Sequence, residues 1–489
     1  MTENPVVDTT AGQVEGTTAD GVSRFLGIPF AAPPEGALRF AAPVPAPTWE
    51  GVRDTTKPGP NAPQNSRAFP GLDLAPIIGT GWREGSDYLT VDVWTPGPSA
   101  SGLPVMVFVH GGAFVAGEPG APTYDGTALA GAGVVLVSVT YRLGVEGFLP
   151  LPGGATNIGL RDQIAALEWV RDNVAAFGGD PGLVTVFGES AGAMSIGALL
   201  GSPLARGLFR RAIVQSGGAE MVRTAEPSAR YARVVTDALG VDFSADGMRG
   251  RSVADALAVQ ETLADPLKRG DLREPDGTDP GLGLGAFLPV LGDDVLPEHP
   301  LDALAAGSAA DVDLLVGANA EEMNLYLVPT GAIDAMTADQ VRRALAMVRP
   351  DSAALLASAG LDEPGAHAGQ VFAAVMTELV FRGPVRRLAD AHTGRTHVYD
   401  FTWRSPAFGG RLGACHGLEL PFVFGTLGSA TGPTGLLGEP PAPHAVSDLM
   451  RDAWVAFART GDPGWPAFDA SRRSLRIDVD PEVVTLEGP

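Results

Sequence analysis

A chain of 489 residues that is 45% hydrophobic can bury a large core, and that length fits either one big catalytic domain or two or three ordinary ones. The formal net charge of -23 repels phosphate backbones and anionic membrane surfaces, so neither nucleic acid nor membrane insertion is expected. The same charge serves solubility, and it says nothing about substrate.

The single cysteine, Cys415, leaves no intrachain disulfide to form, which makes a reducing cytoplasm the default location. The opening residues MTENPVVDTTAGQVEG show no basic n-region and no apolar h-region, so no signal peptide is visible. The longest apolar stretches fall well short of the roughly 20 residues that a membrane helix needs.

Short β-branched runs alternate with helical segments, the pattern of an α/β architecture with a parallel sheet. In chain order, Pro58–Gly81 reads as a long surface loop, and LPVMVFV at Leu103–Val109 and GVVLVSV at Gly133–Val139 read as central strands covered on both faces. Between Asn157 and Phe177 the apolar residues Ile158, Ile164, Leu167, Trp169, Val170 and Val174 recur at helical spacing, and GGDPG at Gly178–Gly182 ends the helix. A strand at Val184–Phe187 leads into GESAG and then into a helix. Further strands are expected at Ala212–Gln215, Val312–Val316 and Thr396–Trp403, with long loops at Arg269–Gly285 and Thr426–Pro443 that suit lids or binding loops. No internal repeat and no clean linker interrupts this order.

Gly188-Glu189-Ser190-Ala191-Gly192 matches G-x-S-x-G in the strand–turn–helix setting that the α/β-hydrolase nucleophile elbow requires. The turn strains the serine backbone so that its hydroxyl projects above the sheet, and small neighbours are needed on both sides. A serine hydroxyl is a poor nucleophile at neutral pH, so it needs a base within reach and donors for the oxyanion. His110-Gly111-Gly112-Ala113-Phe114 follows the strand Leu103–Val109, where such enzymes carry a glycine-rich oxyanion loop. The N–H groups of Gly112, Ala113 and Ala191 are the expected donors, each worth about 3 kcal/mol of transition-state stabilisation. Gly111 supports that loop.

These segments together resemble the type-B carboxylesterase and cholinesterase family, and closely resemble its bacterial para-nitrobenzyl esterase branch. The likeness runs through RFLGIPFAAPPEGALRF at Arg24–Phe40, SDYLTVDVWTP at Ser86–Pro96, VTVFGESAGA at Val184–Ala193, VQSGG at Val214–Gly218 and FLPVLGDDVLP at Phe287–Pro297. WVAFARTGDPGWPAF at Trp454–Phe468 resembles the family's C-terminal helix and turn. Ser86 and Tyr88 stand where the family has Glu and Cys, which removes a loop disulfide without touching catalysis.

The resemblance implies a single α/β-hydrolase domain over residues 1–489 with a mostly parallel central sheet. Large loop and helical insertions would form its pocket. It puts the catalytic acid at Glu322, in Gly317-Ala318-Asn319-Ala320-Glu321-Glu322, and the base at His416, in HGLELPFVFG. It also gives Ser216 the task of orienting the acid and Phe114 and Phe287 that of apolar walls near the acyl side. The order Ser, Glu, His is the one α/β-hydrolases use.

Several other groups are read as structural. His110 supports the oxyanion loop, and His299, His367, His392, His397 and His444 lie in segments without catalytic features. Cys415 is a small buried residue. Glu189 is held to be structural because successive side chains point in different directions. No metal-ligand spacing, dinucleotide fingerprint or phosphate loop is present, so the expected reaction needs no cofactor.

The expected function is hydrolysis of uncharged alkyl or aryl carboxylic esters through Ser190, His416 and Glu322 and a covalent acyl-enzyme. Activity should fall as pH drops through roughly 6 to 7, where an unperturbed histidine charges. Amide or lactone hydrolysis would use the same residues. A non-catalytic cholinesterase-like binding protein would not need to retain them.

Overall fold

Eleven strands form one continuous sheet in the computed structural model, which describes residues 4–486. In chain order they are β1 (Thr17–Ala19), β2 (Val22–Pro29), β3 (Thr90–Thr95), β4 (Leu103–Val109), β5 (Val135–Val139), β6 (Gly179–Glu189), β7 (Arg211–Gln215), β8 (Asp313–Asn319), β9 (Thr396–Phe401), β10 (Arg473–Ile477) and β11 (Glu482–Thr485). Their order in space is β11-β10-β9-β8-β7-β6-β4-β5-β3-β2-β1. The run from β10 to β5 is parallel, with antiparallel strands at both edges. A separate small sheet joins Val6–Asp8, Gln13–Glu15 and Val52–Asp54.

The apolar runs of β4 and β5 have no polar alternation because both faces of these strands are covered. On one face Phe108 of β4 and Phe187 of β6 pack against Phe424, with ring centroids 5.0 and 5.7 Å away. There Gln215 of β7 accepts from the Trp454 indole at 2.9 Å. Trp454 belongs to the C-terminal helix His444–Thr460, which covers that side. The alternate residues Val107, Val186 and Val214 are equally buried. Helices α1 (Ile158–Asn173) and α2 (Ala191–Gly201) pack on the same strands and are joined by Gln163 and Ser195 at 3.2 Å.

The expected elements are found with modest differences at their ends. The helix expected over 157–177 is α1 followed by a 3-10 turn at Val174–Phe177. The strand expected at Val184–Phe187 begins earlier, so GDPG lies inside β6 rather than before it. Its pairing with β4 shifts register between Leu103 and Val105, and at such an irregularity a proline costs no ladder bond. The arrangement is an α/β-hydrolase fold, with a mostly parallel sheet flanked by helices.

Candidate active site

The end of β6 turns into α2 at Ser190, whose backbone is forced to φ 55° and ψ -123°. This region is costly for a residue with a side chain, and the surroundings hold it there: the Ser190 N–H donates to Gln215 O at 2.9 Å. The flanking glycines have no freedom to be anything else. A Cβ on Gly188 would sit 2.6 Å from the Val109 carbonyl oxygen, and one on Gly192 would sit 2.0 Å from it. The end of β4 therefore presses directly against the elbow.

The loop after β4 continues from that contact. Ala113 and Phe114 both take positive φ, 56° and 61°. The N–H groups of Gly112, Ala113 and Ala191 donate to no acceptor among the described residues. All three residues line the cavity that Ser190 enters. Gly111 closes the loop against the elbow, since a Cβ there would meet the Glu189 side chain at 2.6 Å. His110 stacks on Tyr141 with centroids 4.5 Å apart, and its Nδ1 lies 2.8 Å from Gly111 O. Burial pulls its pKa down to about 4, so the ring is neutral and supports the loop.

Across the cavity, Nδ1 of His416 is 2.7 Å from Glu322 Oε2. Glu322 is fully buried, and its other oxygen accepts from Ser216 Oγ at 2.6 Å and from the Asn319 N–H at 2.7 Å. Ser216 thus stands where the family resemblance puts it. Glu321 points elsewhere, to Arg404 and the Ala414 N–H. Cys415 is buried, and burial raises its thiol well above the ordinary range, so it has no thiolate character.

The reading of Glu189 needs correction. Its Oε1 lies 3.1 Å from His416 Nε2, off the axis of an aligned hydrogen bond. The argument from alternating side chains fails because the chain turns at Ser190 instead of continuing as a strand. His416 makes no hydrogen bond to Ser190 Oγ in this geometry, although both line the same cavity.

Glu419, which carried no role in sequence, completes a group of three buried carboxyls around the histidine. It accepts from Asn319 Nδ2 at 2.6 Å and Gln215 Nε2 at 3.0 Å. Burial raises Glu189 to about 8, with His416 opposing and the other two glutamates adding to the shift. For His416 burial favours the neutral ring, but Glu189 and Glu322 outweigh it and hold the imidazole up at about 9. The two titrate as a unit. Glu322, aligned with Nδ1 at 2.7 Å, favours the imidazolium together with Glu189 against the opposing effect of burial.

The cavity measures about 230 Å³. Phe114 and Phe287 line it, and the loops Pro58–Gly81 and Arg269–Gly285 contribute Phe69, Leu74 and Leu284. The Phe287 ring packs edge-on against Tyr231 with centroids 5.3 Å apart. Phe381 was not foreseen. Its ring packs tilted against His416, centroids 4.5 Å apart, from a π-helical turn, Glu378–Arg382, a local irregularity that leaves no mark in apolar periodicity.

A strained serine at a strand–helix turn, facing a histidine backed by a buried glutamate, is the site of an α/β-hydrolase. A model of the carboxylesterase family matches residues 3–485, and the chain belongs to that family. It is 37% identical to the para-nitrobenzyl esterase of Bacillus subtilis, over 99% of this chain and 96% of that one. Phenmedipham hydrolase of Pseudarthrobacter oxydans is 36% identical, over 98% and 96%. A solved carboxylesterase of Geobacillus stearothermophilus superposes with a TM-score of 0.83 at 33% identity, covering 98% of this chain and 97% of that one. The protein is a carboxylic-ester hydrolase. Among the described residues no helix is long and apolar enough to cross a membrane.

Proposed function

We propose that this carboxylesterase is one catalytic domain that cleaves neutral alkyl and aryl esters by way of an acyl-enzyme on Ser190. His416 takes the hydroxyl proton as Oγ attacks the carbonyl carbon, and the N–H groups of Gly112, Ala113 and Ala191 receive the oxyanion. Glu322 holds the ring with Nδ1 protonated and stabilises the imidazolium. The imidazolium returns the proton to the leaving alcohol. Water then attacks the acyl carbon with the same base, and the acid departs. The observation that carries the reading is the 2.7 Å bond from His416 to a buried Glu322, in a cavity shared with a strained serine. The Oγ to Nε2 bond is expected to tighten in the ester complex, as loosely aligned catalytic bonds commonly do. A chain with one buried cysteine suits a reducing compartment, and the cytoplasm is its proposed location.

The base must be neutral to accept a proton. A raised His416 pKa means that the neutral form is lost as pH falls through a value above the ordinary histidine range, so the acid limb of kcat/KM should lie higher than the 6 to 7 expected from sequence. Glu189→Gln removes one of the charges that favour imidazolium and should move that limb down by about one pH unit. A limb that stays in place in the variant would contradict the contact.

Phe287 should limit the acyl group. Phe287→Ala is expected to raise the ratio of kcat/KM for a long-chain ester to that for an acetate ester by about tenfold. An unchanged ratio removes Phe287 from the acyl wall. Turnover of an ester, amide and lactone panel by wild type and Ser190→Ala tests the reaction itself: ester hydrolysis lost in the variant supports it, and equal rates refute it.

A further inference from the structure

Among the described residues five arginines are buried: Arg39, Arg142, Arg211, Arg223 and Arg269. Four face a carboxylate, with Arg39 at 2.6 Å from Glu146, Arg142 at 2.7 Å from Asp162, Arg223 at 2.9 Å from Asp279 and Arg211 at 3.3 Å from Asp313. Arg269 has no such partner, although it is only 7% exposed. Its one hydrogen bond runs from Nη2 to the Gly283 carbonyl at 3.1 Å. A guanidinium that meets no carboxylate of its own chain is open to an incoming anion.

Arg269 lies between two cavities, one of about 620 Å³ that Asp271 and Asp279 also line and one of about 80 Å³ beside the catalytic cavity. Arg67, Ala113, Leu284, Gly285 and Phe287 border both the catalytic cavity and this smaller one, so the oxyanion loop itself is part of the wall between them. The remaining polar lining of the smaller cavity is rich in free donors. The Arg67 guanidinium has no hydrogen bond or ion pair with any described residue. Gln260 uses Oε1 to accept from the Val145 N–H at 3.2 Å, which leaves Nε2 free. The Tyr231 hydroxyl is also unpartnered, and burial raises it to about 12 against the pull of Arg269 and Arg223, so it stays protonated. Tyr231 and Gln260 are 3% and 9% exposed. One carboxylate, Glu261, reaches the rim, where it accepts from Asn65 at 3.3 Å and pairs with neither arginine.

We propose that this side cavity binds a carboxylate at the far end of the ester's acyl chain, so that half-esters of dicarboxylic acids are substrates alongside neutral esters. Two cations and two neutral donors select an anion. The planar fork of an arginine suits a carboxylate, and the volume holds a group the size of a few waters rather than a ring. The apolar walls of the main cavity take the methylene chain between the two ends. The acyl carbon is attacked at Ser190 as for any ester, so the side cavity changes which substrate is held and not the chemistry. This inference rests on the esterase reading of Ser190.

The test is a series of 4-nitrophenyl esters of dicarboxylic acids of increasing length, each paired with a methyl-ended chain of equal length, assayed with wild type, Arg269→Gln and Arg67→Gln. At one chain length wild type should favour the carboxylate ester through a lower KM, and each variant should lower the carboxylate-to-methyl ratio of kcat/KM by about tenfold or more. Arg67 is exposed, so its variant keeps the test sound if Arg269→Gln fails to fold. Calorimetric binding of the same carboxylate ester to Ser190→Ala reads the side cavity without turnover, whereas neutral-ester hydrolysis reads the catalytic assignment alone. Preference for the methyl-ended chain at every length, or a ratio and a binding constant unmoved in both arginine variants, overturns the proposal. Free glutarate binding as tightly as the ester, with no preference in turnover, would also overturn it, because the cavity would then hold an untethered anion.

Discussion

Ser190→Ala is expected to lower kcat by about five powers of ten or more while the protein stays folded. In the proposed mechanism the hydroxyl supplies the bond-forming atom, and nothing else lining the cavity is set at an elbow of this kind. Alanine keeps the Cβ and so meets the same backbone strain at φ 55° without adding to it. The residual rate should come from the free N–H groups of Gly112, Ala113 and Ala191, which can still polarise a bound carbonyl. Circular dichroism and a thermal midpoint within a few degrees of wild type would show that the fold survives. A variant that keeps even a tenth of the wild-type kcat would exclude Ser190 as the nucleophile.

Glu322→Gln is expected to cost about three to four powers of ten in kcat, with a smaller change in KM. As a carboxylate Glu322 only accepts, and it takes three donors: His416 Nδ1 at 2.7 Å, Ser216 Oγ at 2.6 Å and the Asn319 N–H at 2.7 Å. An amide must turn its NH2 toward one of them. If it faces Nδ1, the ring is driven to the tautomer that carries its proton on Nε2, and it can no longer accept from serine. If it faces Asn319, a buried N–H is left unpaired. A kcat within tenfold of wild type would show that the buried acid does not set the ring.

The parallel core was legible because its strands are buried on both faces, which writes mainly apolar runs without polar alternation at Leu103–Val109 and Val135–Val139. The elbow was legible because its close approach to Val109 O admits glycine alone at positions 188 and 192. Glu322 and His416 were found by family spacing; neither residue type is rare, and 94 residues separate them. What escaped the sequence lies where local rules stop. Glu189 reaches the histidine because positive φ at the next residue breaks strand alternation. Glu419 joins the site through Asn319 and Gln215, contacts between distant strands and helices that no local pattern announces. Phe381 comes from a π turn outside helical periodicity. The pH range expected from sequence took an unperturbed histidine, whereas the fold gathers three carboxyls around it.

The most direct measurement is covalent capture. The protein is treated with an aryl alkylphosphonate ester, which traps an activated serine by losing its phenol, and the modified residue is located by peptide mass spectrometry. One adduct per chain, carried on Ser190 and lost in parallel with esterase activity, is the predicted result. An adduct on a different serine, or full inactivation with Ser190 unmodified, would contradict the account.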